Sequence, residues 1–592
     1  MKIHHVLALA VALAAASGSV PVLAKPHAAA KKSADGVFVA LYTEEWTWRQ
    51  GLSATGEDSN ATTVSPRLPD VGEKAQARRL SYWQGVKRRL DAISPKALSA
   101  ENQVNYAVYA AQLDALIAAQ AFHEYERPLN SDSTFWSDLL YTAQQTFHGE
   151  TDYRNYLSQL NDVPRYFDQQ IANMRAGLKR GFSPPRVTLE GRDQSVRTVI
   201  EAKSAQDSAF YAPFVRMPAT IPADIQADLR KKAVAAIETS VVPAHKTLLA
   251  FLDDDYIPHA QTALGASALP DGPAYYRSKI REFTTLDQDP ETIHRIGLEQ
   301  VALIHAEMLE TMKATGFKGD FPAFLAFLRS DPQFYAASPQ ALLDRAAWIA
   351  KTFDGKAAQY FGHLPRQRFA IVPVPPEIAP YYTSGRGGPG VYLVNTYDLK
   401  SRPLFQLAAL TLHESAPGHA FQMPLAAENK TLPDFRRNTY ISAYGEGWAL
   451  YCEKLGVEMG MYETPYDRFG YLSYQMWRAS RLVVDTGIHA KGWTREQARQ
   501  FLRDNTALSE HEIDTEVDRY ISWPGQALSY YLGEMAIVEA RAKAEKALGQ
   551  KFNIRAFHDA VLQLGSVPLP VLSAHVDAFI AGGGKGPYPD EE

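Results

Sequence analysis

Apolar residues recur every three or four positions along most of this chain, which is the spacing of amphipathic α-helices. The pattern holds over four long segments: 74–93, 100–125, 223–254 and 289–316. In the last of these, Asp289 precedes a proline at the first helical position and is expected to cap the helix. The pattern therefore predicts a mainly α-helical protein.

The alternation typical of β-strands is rare. The best strand signal is GVYLVNTY (390–397), which follows a glycine-rich loop. Breaks in the helical pattern fall at 180–193, 265–276 and 363–380, and none resembles a flexible Gly/Ser linker. We therefore expect a single helical unit over residues 37–588, with a small β element.

Residues 1–24 have the features of a signal peptide. Lys2 precedes an apolar run, and the run ends in a small-residue cleavage site at Ala24. Residues 25–36 are small and charged without an apolar period, which predicts a disordered leader. The alternative is an uncleaved membrane anchor, which the short, interrupted run disfavours. We therefore expect an exported bacterial protein, periplasmic or secreted, with no stable membrane association after cleavage.

Composition narrows the classes of partner. The chain has 592 residues, 46% hydrophobic and 11% aromatic, which is sufficient for a large core. The net charge of −5, without a basic run, argues against nucleic acid or anionic lipid as a partner. Cys452 is the only cysteine, so no intrachain disulfide can form. The hydrophobic core must therefore hold the fold together.

The stretch TLHESAPGHA (411–420) combines two histidines, a glutamate and a Pro-Gly pair. In the HExxH zinc motif the histidines lie one helical turn apart. His413 and His419 are six positions apart, about 240° around a helix, so an unbroken helix cannot aim both at one ion. Pro417 and Gly418 could supply the required bend. The alternative to a metal site is that His413 caps a helix end and His419 is an ordinary packed histidine. This stretch alone does not decide between the two interpretations.

A third residue favours a metal site. Glu446 lies 27 positions after His419, flanked by glycines in YGEGWALYCEKL. Two histidines and a glutamate are a known zinc ligand set that leaves one position for water. Glu453, seven positions further on, shares the same helix face and is the fallback ligand, but we expect it to orient a ligand histidine. The prediction is one zinc ion per chain on His413, His419 and Glu446.

A row of polar residues on the next predicted helix has two interpretations. Tyr474, Arg478, Arg481, Asp485 and His489 fall within an arc of about 80°. The row is either a solvated face or one wall of a substrate cleft. In the second case the arginines bind a substrate carboxylate, His489 donates to the developing oxyanion, and Asp485 supports a metal ligand.

The stretch RYISWPGQALSYYLG (519–533) places Arg519 and several tyrosines around a Pro-Gly turn. A phenol beside the scissile carbonyl can stabilise the tetrahedral intermediate, and Tyr530 is the first choice. Arg519 is a candidate for substrate binding. The alternative is that these tyrosines belong to the core. His511 also begins a His-Glu pair, but no second histidine follows within reach, so we assign it no metal role.

Four ordered motifs carry a resemblance to a known family. LHESAPGH, YGEGWALYCEKLG, VVDTGIHAKGW and RYISWPGQALSYYLG together resemble the bacterial domain of unknown function 885 (DUF885) family. The similarity extends to GASALPDGPAYYRSKIREFTTLDQDPETIHRIG and PGVYLVNTY, and so covers most of the mature chain. That family resembles gluzincin-type metallopeptidases related to thimet oligopeptidase, carboxypeptidase Taq and angiotensin-converting enzyme. The resemblance implies a large, two-lobed helical fold around a deep groove.

The resemblance also implies a mode of substrate binding. The related peptidases bind the peptide backbone along an edge strand. GVYLVNTY, with Tyr392 and Asn395, is the expected strand in this chain. The departure is HESAPGH, which is two residues longer than the HExxH of those relatives.

The sequence thus predicts an exported zinc peptidase that acts on peptides. Glu414 is the expected general base, and Tyr530 and His489 are expected at the oxyanion. Two alternatives stay open: a metal-dependent hydrolase of a non-peptide amide or ester, and a non-catalytic peptide-binding protein. The sequence indicates neither endo- versus exo-cleavage, nor side-chain preference, nor oligomeric state.

Overall fold

The computed structural model describes residues 33–52, 63–131, 133–376 and 379–588. The predicted signal peptide and residues 25–32 of the predicted leader lie outside the described residues. Within the described part of the chain, no helix is both long enough and apolar enough to cross a membrane.

Helices dominate the structure, as predicted, and build two separate hydrophobic cores among the described residues. The first three helices are α1 (Ala34–Gln50), α2 (Glu73–Asp91) and α3 (Ala100–Ala121). The next seven are α4 (Leu139–Gln144), α5 (Glu150–Arg180), α6 (Asp193–Ile200), α7 (Ala212–Val215), α8 (Ala223–Ala236), α9 (Val242–Phe251) and α10 (Ile257–His259). The remaining helices are α11 (Gly272–Thr284), α12 (Pro290–Ala314), α13 (Phe321–Ser330), α14 (Pro339–Asp354), α15 (Ala357–Tyr360), α16 (Leu404–Glu414), α17 (His419–Glu428), α18 (Asp434–Arg437), α19 (Ser442–Glu458), α20 (Pro465–Lys491), α21 (Arg495–Asn505), α22 (Glu510–Ser522), α23 (Ser529–Leu548), α24 (Ile554–Gln563) and α25 (Leu569–Ala581).

The two cores divide the chain unequally. The smaller core is built from residues between Val64 and Ala260, with α4–α10 around it. The larger core is supplied by α1–α3 together with α11–α25. Two cores are consistent with the expected two-lobed fold. All of the predicted site residues lie in the part of the chain that builds the larger core.

The helix termini test two sequence predictions. Asp289 accepts a hydrogen bond from the Thr292 N–H (2.9 Å), which confirms it as the cap of α12. Ser33 accepts one from the Gly36 N–H (3.1 Å) and caps α1 in the same way. Because α1 begins at Ala34, residues 34–36 are helical, and the predicted leader extended too far.

The predicted helix 223–254 is divided by two π-helical turns. Ile237–Val241 joins α8 to α9, and Leu252–Tyr256 joins α9 to α10. Pro243 and Pro258 are each the second residue after one of these turns. A proline has no N–H and its ring clashes with the carbonyl four residues earlier, so the wider turn before each proline relieves a conflict that periodicity alone does not reveal.

The small sheet has three strands, β1 (Ala370–Pro373), β2 (Gly385–Gly388) and β3 (Val391–Val394). Their order is β1-β3-β2, with β3 parallel to β1 and antiparallel to β2. The GVYLVNTY strand therefore lies in the middle of the sheet, and the expectation that it forms an edge was wrong. The edge that approaches the end of α16 is β2, which packs against α16 and α17.

Helix α20 organises the larger core. It begins in a capping box formed by Thr464 and Asp467, and every residue from 469 to 489 is buried. Its backbone touches that of α16, because a Cβ added at Gly470 would lie 1.9 Å from the Phe405 carbonyl oxygen. The contact fixes α16, which carries the first predicted metal ligand.

Candidate metal centre

The HESAPGH motif spans a break between two helices. Helix α16 ends at Glu414 and α17 begins at His419, and the Ala416–Pro417 peptide bond between them is cis. Gly418 lies so close to α16 that an added Cβ would be 1.8 Å from the His413 carbonyl oxygen. The two imidazole rings meet with centroids 5.0 Å apart and planes at 86°. The insertion thus bends the chain enough to bring both histidines together.

Glu446 completes a cluster of three ligand atoms. Its Oε2 lies 3.4 Å from His413 Nε2 and 3.3 Å from His419 Nε2. One ligand atom from each of the three residues lies within 4.8 Å of the others. Both histidines are buried, and the Glu446 side chain is 12% exposed. This donor set and spacing match the known two-histidine, one-glutamate zinc site.

Two glycines hold the helix of Glu446 in place. Gly447 of α19 faces Gly533 of α23, and a Cβ on Gly447 would lie 2.4 Å from the Gly533 carbonyl carbon. A Cβ on Gly533 would lie 2.0 Å from the Ala443 carbonyl oxygen. The backbones of α19 and α23 therefore touch, and this contact fixes Glu446 relative to α23, the helix of Tyr530.

Glu453 orients His413, the role the sequence predicted for it. The His413 Nδ1 and Glu453 Oε1 are 2.8 Å apart, and the glutamate is fully buried. Since a carboxylate only accepts, Nδ1 carries a proton, and Nε2 is the nitrogen that faces Glu446. Arg478 Nη2 lies 3.4 Å from the same Glu453 oxygen and balances its charge. His419 Nδ1 has no hydrogen-bond partner among the described residues.

The charges around His413 favour a cation. Burial lowers the pKa of His413, but its contacts with Glu446 and Glu453 and the charge of Glu414 outweigh burial and raise it to about 10. Burial raises the pKa of Glu446, but the two histidines outweigh it and hold that pKa well below its usual range. A neutral His413 would present its Nε2 lone pair to a carboxylate oxygen, which is repulsive unless a cation lies between them. The residues present thus fit a metal ion.

Glu414 lies at the junction between the metal cluster and the sheet. Its Oε2 accepts a hydrogen bond from the Gly387 N–H of β2 (2.7 Å). A Cβ on Gly387 would lie 1.6 Å from the Glu414 carbonyl oxygen, so only glycine fits at this approach. The backbone amide therefore holds the carboxylate of Glu414, the residue directly after the candidate ligand His413.

Tyr530 lies beside the cluster, and Arg519 contacts Tyr530. The Tyr530 ring lies nearly parallel to that of His413, with centroids 6.3 Å apart. Its hydroxyl oxygen accepts from Arg519 Nη2 (3.3 Å) and from Gln526 Nε2 (3.4 Å). The Arg481 guanidinium lies over the Tyr530 ring, 4.3 Å from its centroid. The structure thus places Tyr530 next to His413 and connects Arg519 to the cluster through Tyr530.

Arg478 and Arg481 have internal partners rather than access to a substrate. Arg478 contacts Glu453, and Arg481 Nη2 donates to Glu516 (2.9 Å) and its Nε to the Tyr520 hydroxyl (2.9 Å). Both side chains are at most 4% exposed. The predicted substrate contacts are corrected to internal ion pairs, because α20 is covered on all sides.

His489 and Asp485 also support the fold instead of the chemistry. His489 Nδ1 accepts from the Ala266 N–H (3.0 Å), so Nε2 carries the proton and donates to the Tyr520 carbonyl oxygen (2.8 Å). With both ring nitrogens used, His489 has no donor for an oxyanion. Asp485 accepts from the Tyr276 hydroxyl (2.5 Å) and the Gly525 N–H (3.1 Å), and neither partner is a metal ligand.

Tyr392 and Asn395 are likewise interior residues. Tyr392 is fully buried beside Thr411, with 3.4 Å between their hydroxyl oxygens. Asn395, also fully buried, donates to the carbonyl oxygens of Ala379 and Tyr382. Their predicted contacts with substrate are replaced by contacts that hold the sheet to its neighbouring loop.

Tyr440 is a site residue that the sequence analysis missed. Its hydroxyl donates to Glu446 Oε1 (2.8 Å), and its ring lies 6.4 Å from that of His419. It precedes α19 in a short loop, where no periodic pattern marks it. The available signal was its spacing of six positions before Glu446 and five before Gly445, whose missing side chain gives the ring room.

Comparison with known proteins places the chain in a family. A crystal structure of a predicted lipoprotein from Colwellia psychrerythraea is similar over 93% of this chain and 100% of that chain, with a TM-score of 0.83 and 27% identity. The structure of a predicted lipoprotein of unknown function from Shewanella oneidensis shares the fold over 92% of this chain and 99% of its own, with a TM-score of 0.64 and 16% identity. No curated protein matches the chain. The family model described as bacterial protein of unknown function (DUF885) matches residues 50–576, so the chain belongs to the DUF885 family.

Proposed function

We propose that this protein is a zinc-dependent peptidase that hydrolyses peptides. The observation that carries the proposal is the cluster of His413, His419 and Glu446, whose ligand atoms lie within 4.8 Å of one another. A structural role for these buried groups would need no such convergence of three ligand atoms. Glu414, next to the first ligand, gives the site the general base that a hydrolase needs.

The roles of the surrounding residues follow from their contacts. Zinc, when bound, acidifies a water molecule, whose pKa falls from ~15.7 toward ~7. Glu414 takes the proton of the attacking water and passes it to the leaving amine. The Gly387 N–H holds one oxygen of this carboxylate, and the other remains to receive the proton.

Tyr530 is suited to stabilise the oxyanion. A phenol has one donor hydrogen and two lone pairs. Arg519 and Gln526 both donate to the Tyr530 oxygen, so its own hydrogen is directed elsewhere, toward a substrate carbonyl beside His413. Arg519, the most exposed of the three predicted arginines at 16%, is the one retained for binding a substrate carboxylate.

We expect β2, rather than β3, to be the strand that pairs with the peptide backbone of the substrate. β3 is paired on both sides, whereas β2 is an edge strand that ends beside Glu414. An extended peptide added along β2 would bring its backbone to the general base. Peptides, rather than folded proteins, are therefore the proposed substrates.

We also propose that the protein is exported. The signal-peptide features of residues 1–24 support this, and the two similar structures are of predicted lipoproteins. N-terminal sequencing of the protein from its native host should give Lys25 as the first residue. An intact Met1 on the mature protein would contradict export by this signal.

The test combines metal analysis with one substitution. Protein purified without chelator or metal-affinity resin should contain about one zinc per chain and cleave members of a short-peptide library. Glu414→Gln should keep the zinc and lose about 10²-fold or more in turnover, the scale of a general base.

The matched control is Glu428→Gln on α17. Glu428 also accepts hydrogen bonds from backbone amides, those of Arg366 (3.0 Å) and Gln367 (2.8 Å), but it is half-buried at the opposite end of α17 from His419. This variant should retain wild-type turnover. Near-normal peptidase activity of Glu414→Gln would remove Glu414 from the mechanism, and a protein that takes up no zinc would refute the metal site.

A further inference from the structure

The two carboxylate oxygens of Glu446 have different neighbours. Oε2 faces the Nε2 atoms of His413 and His419 at 3.4 and 3.3 Å. Oε1 faces away from this pair and accepts a hydrogen bond from the Tyr440 hydroxyl at 2.8 Å. The phenol therefore occupies the oxygen that the histidines do not face.

The difference matters for the number of ligands. A glutamate can bind a metal through one oxygen or through both, and binding through both takes a second position on the ion. A catalytic zinc site has three protein ligands and keeps a further position for water. A donor fixed on Oε1 favours binding through Oε2 alone and so keeps that position available.

The surroundings of Tyr440 hold its backbone and leave its ring accessible. On one side the Thr439 hydroxyl oxygen accepts from the Gln112 side-chain amide, and on the other the Ile441 N–H donates to the Ser566 hydroxyl (2.7 Å). Tyr440 is nevertheless 45% exposed, whereas Tyr530, the other tyrosine at the site, is 7% exposed. The half-exposed residue contributes little to the core, and the polar contact of its hydroxyl is with Glu446.

Gly445 provides the space for this contact. A Cβ at Gly445 would lie 2.3 Å from Tyr440 Cε2 and 2.6 Å from the hydroxyl oxygen. Any side chain there would push the ring off Glu446, the next residue in the chain. The missing side chain of Gly445 therefore allows the Tyr440 hydroxyl to reach Glu446.

We propose that Tyr440 is a positioning residue that restricts Glu446 to binding the metal through Oε2. The inference rests on the proposed zinc site. Tyr440 acts through Glu446, and its loss should weaken zinc binding and change the coordination number of the bound ion.

The experiment measures metal binding rather than turnover. Zinc affinity is determined by competition with a chelating indicator, and the visible absorption of the Co²⁺-substituted protein reports coordination number, since the bands weaken as ligands are added. Tyr440→Phe should weaken zinc about 10–100-fold, the usual effect of losing an outer partner of a ligand, and weaken the cobalt bands.

Two further variants separate this effect from a folding defect. Gly445→Ala keeps every polar group but displaces the ring, and alanine is favoured over glycine within a helix by about 1 kcal/mol, so α19 should stay folded. Gly445→Ala should therefore show both the weaker zinc binding and the weaker cobalt bands expected of Tyr440→Phe. Tyr360→Phe removes a phenol that donates to the carbonyl oxygen of Glu458 at the far end of the same helix (3.1 Å), and it should bind metal as the wild type does.

The outcomes are distinct. If Tyr440→Phe binds zinc with wild-type affinity and gives an unchanged cobalt spectrum, the positioning role is overturned while the zinc site stands. If the wild type binds neither metal, the proposed zinc site itself fails. A loss of affinity with weaker cobalt bands in both Tyr440→Phe and Gly445→Ala supports the proposal.

Discussion

Glu446 and Glu453 are identical side chains on one face of α19, seven positions apart, and they perform different tasks. Glu446 lies between two imidazoles and a phenol, with 12% of its side chain exposed. Glu453 is fully buried between His413 and Arg478. Glu446 is in position to hold a cation, whereas Glu453 fixes a proton on Nδ1 of His413, the nitrogen that faces away from Glu446.

A matched pair of substitutions separates these tasks. Glu446→Gln removes the charged ligand and should leave a protein that loses zinc during gel filtration. Glu453→Gln keeps an oxygen for His413 Nδ1 and should retain zinc with affinity lowered about 10-fold, the smaller effect of an outer partner. Metal content and competition titration provide the measurement. Retention of zinc by Glu446→Gln together with its loss in Glu453→Gln would exchange the two roles.

Arg519 is expected to act on specificity. Arg519→Gln should lower kcat/KM about 10–100-fold for peptides with a free C-terminal carboxylate, the effect of a lost charge-assisted hydrogen bond, but not for amidated peptides. The control is Arg495→Gln, since Arg495 pairs with Asp518 on the same helix as Arg519. An equal loss for free and amidated peptides would assign Arg519 to positioning Tyr530.

Sequence spacing predicted which three side chains come together as candidate metal ligands but misplaced their neighbours. His413, His419 and Glu446 could be found because ligand chemistry requires particular side chains near one another. Arg481 and His489 share one helix face, as the sequence indicated, but periodicity along a helix does not reveal what covers that face. In the folded chain Glu516 and the Tyr520 backbone cover it, and both come from α22, a different segment.

At the scale of elements, the site is a corner where a strand passes two helix ends. Gly387 of β2 lies against Glu414, and Gly418 lies against His413. These approaches leave no room for a methyl group. The corner is therefore a packing arrangement of backbones as much as a group of polar side chains.

Neighbouring glycines on β2 allow a controlled test of this corner. Gly387→Ala places a Cβ 1.6 Å from the Glu414 carbonyl oxygen and should lower the free energy of unfolding by about 1–3 kcal/mol or more, with loss of zinc. Gly388→Ala meets nothing within 4 Å and should leave both unchanged. Urea unfolding and metal analysis provide the comparison, and equal behaviour of the two variants would contradict the tight approach.

The helices and the strand β3 were predictable from the sequence, but β1 and β2 were not, for a physical reason. Helical hydrogen bonds join residues four apart, so the apolar period of α12 or α20 is visible in a short window. β2 has the sequence GRGG and carries no strand pattern. It becomes a strand by pairing with β3, and β1 lies in a stretch that read only as a break. Pairing partners distant in sequence leave no local signal.

At the scale of the whole molecule, buried ionisable groups connect stability to pH. Burial raises the pKa of Asp485 to about 7, although Tyr276 and the Gly525 N–H stabilise its charge. Burial lowers the pKa of His489 to about 4. Asp485 contributes stability that is complete below its unfolded pKa of 3.8 and lost as pH rises through 7, whereas neutral His489 contributes stability that is lost as pH falls from 6.5 through 4.

Asp485→Asn isolates the first of these effects. Because asparagine does not ionise, the stability of this variant relative to the wild type should increase by roughly 2–3 kcal/mol between pH 5 and pH 8. Urea unfolding at the two pH values measures the difference, and the subtraction removes the contributions of all other groups. A difference that does not change with pH would show that Asp485 titrates alike in the folded and unfolded chain.

The contact between α19 and α23 has a consequence for how this sequence can evolve. Gly447 and Gly533 carry no reactive group, yet every substitution available to them inserts atoms between two touching backbones. Gly387 and Gly418 are constrained in the same way. We therefore expect few substitutions to be tolerated at these four positions, so the number of sequences that can form this site is limited by its glycines as well as by its polar side chains.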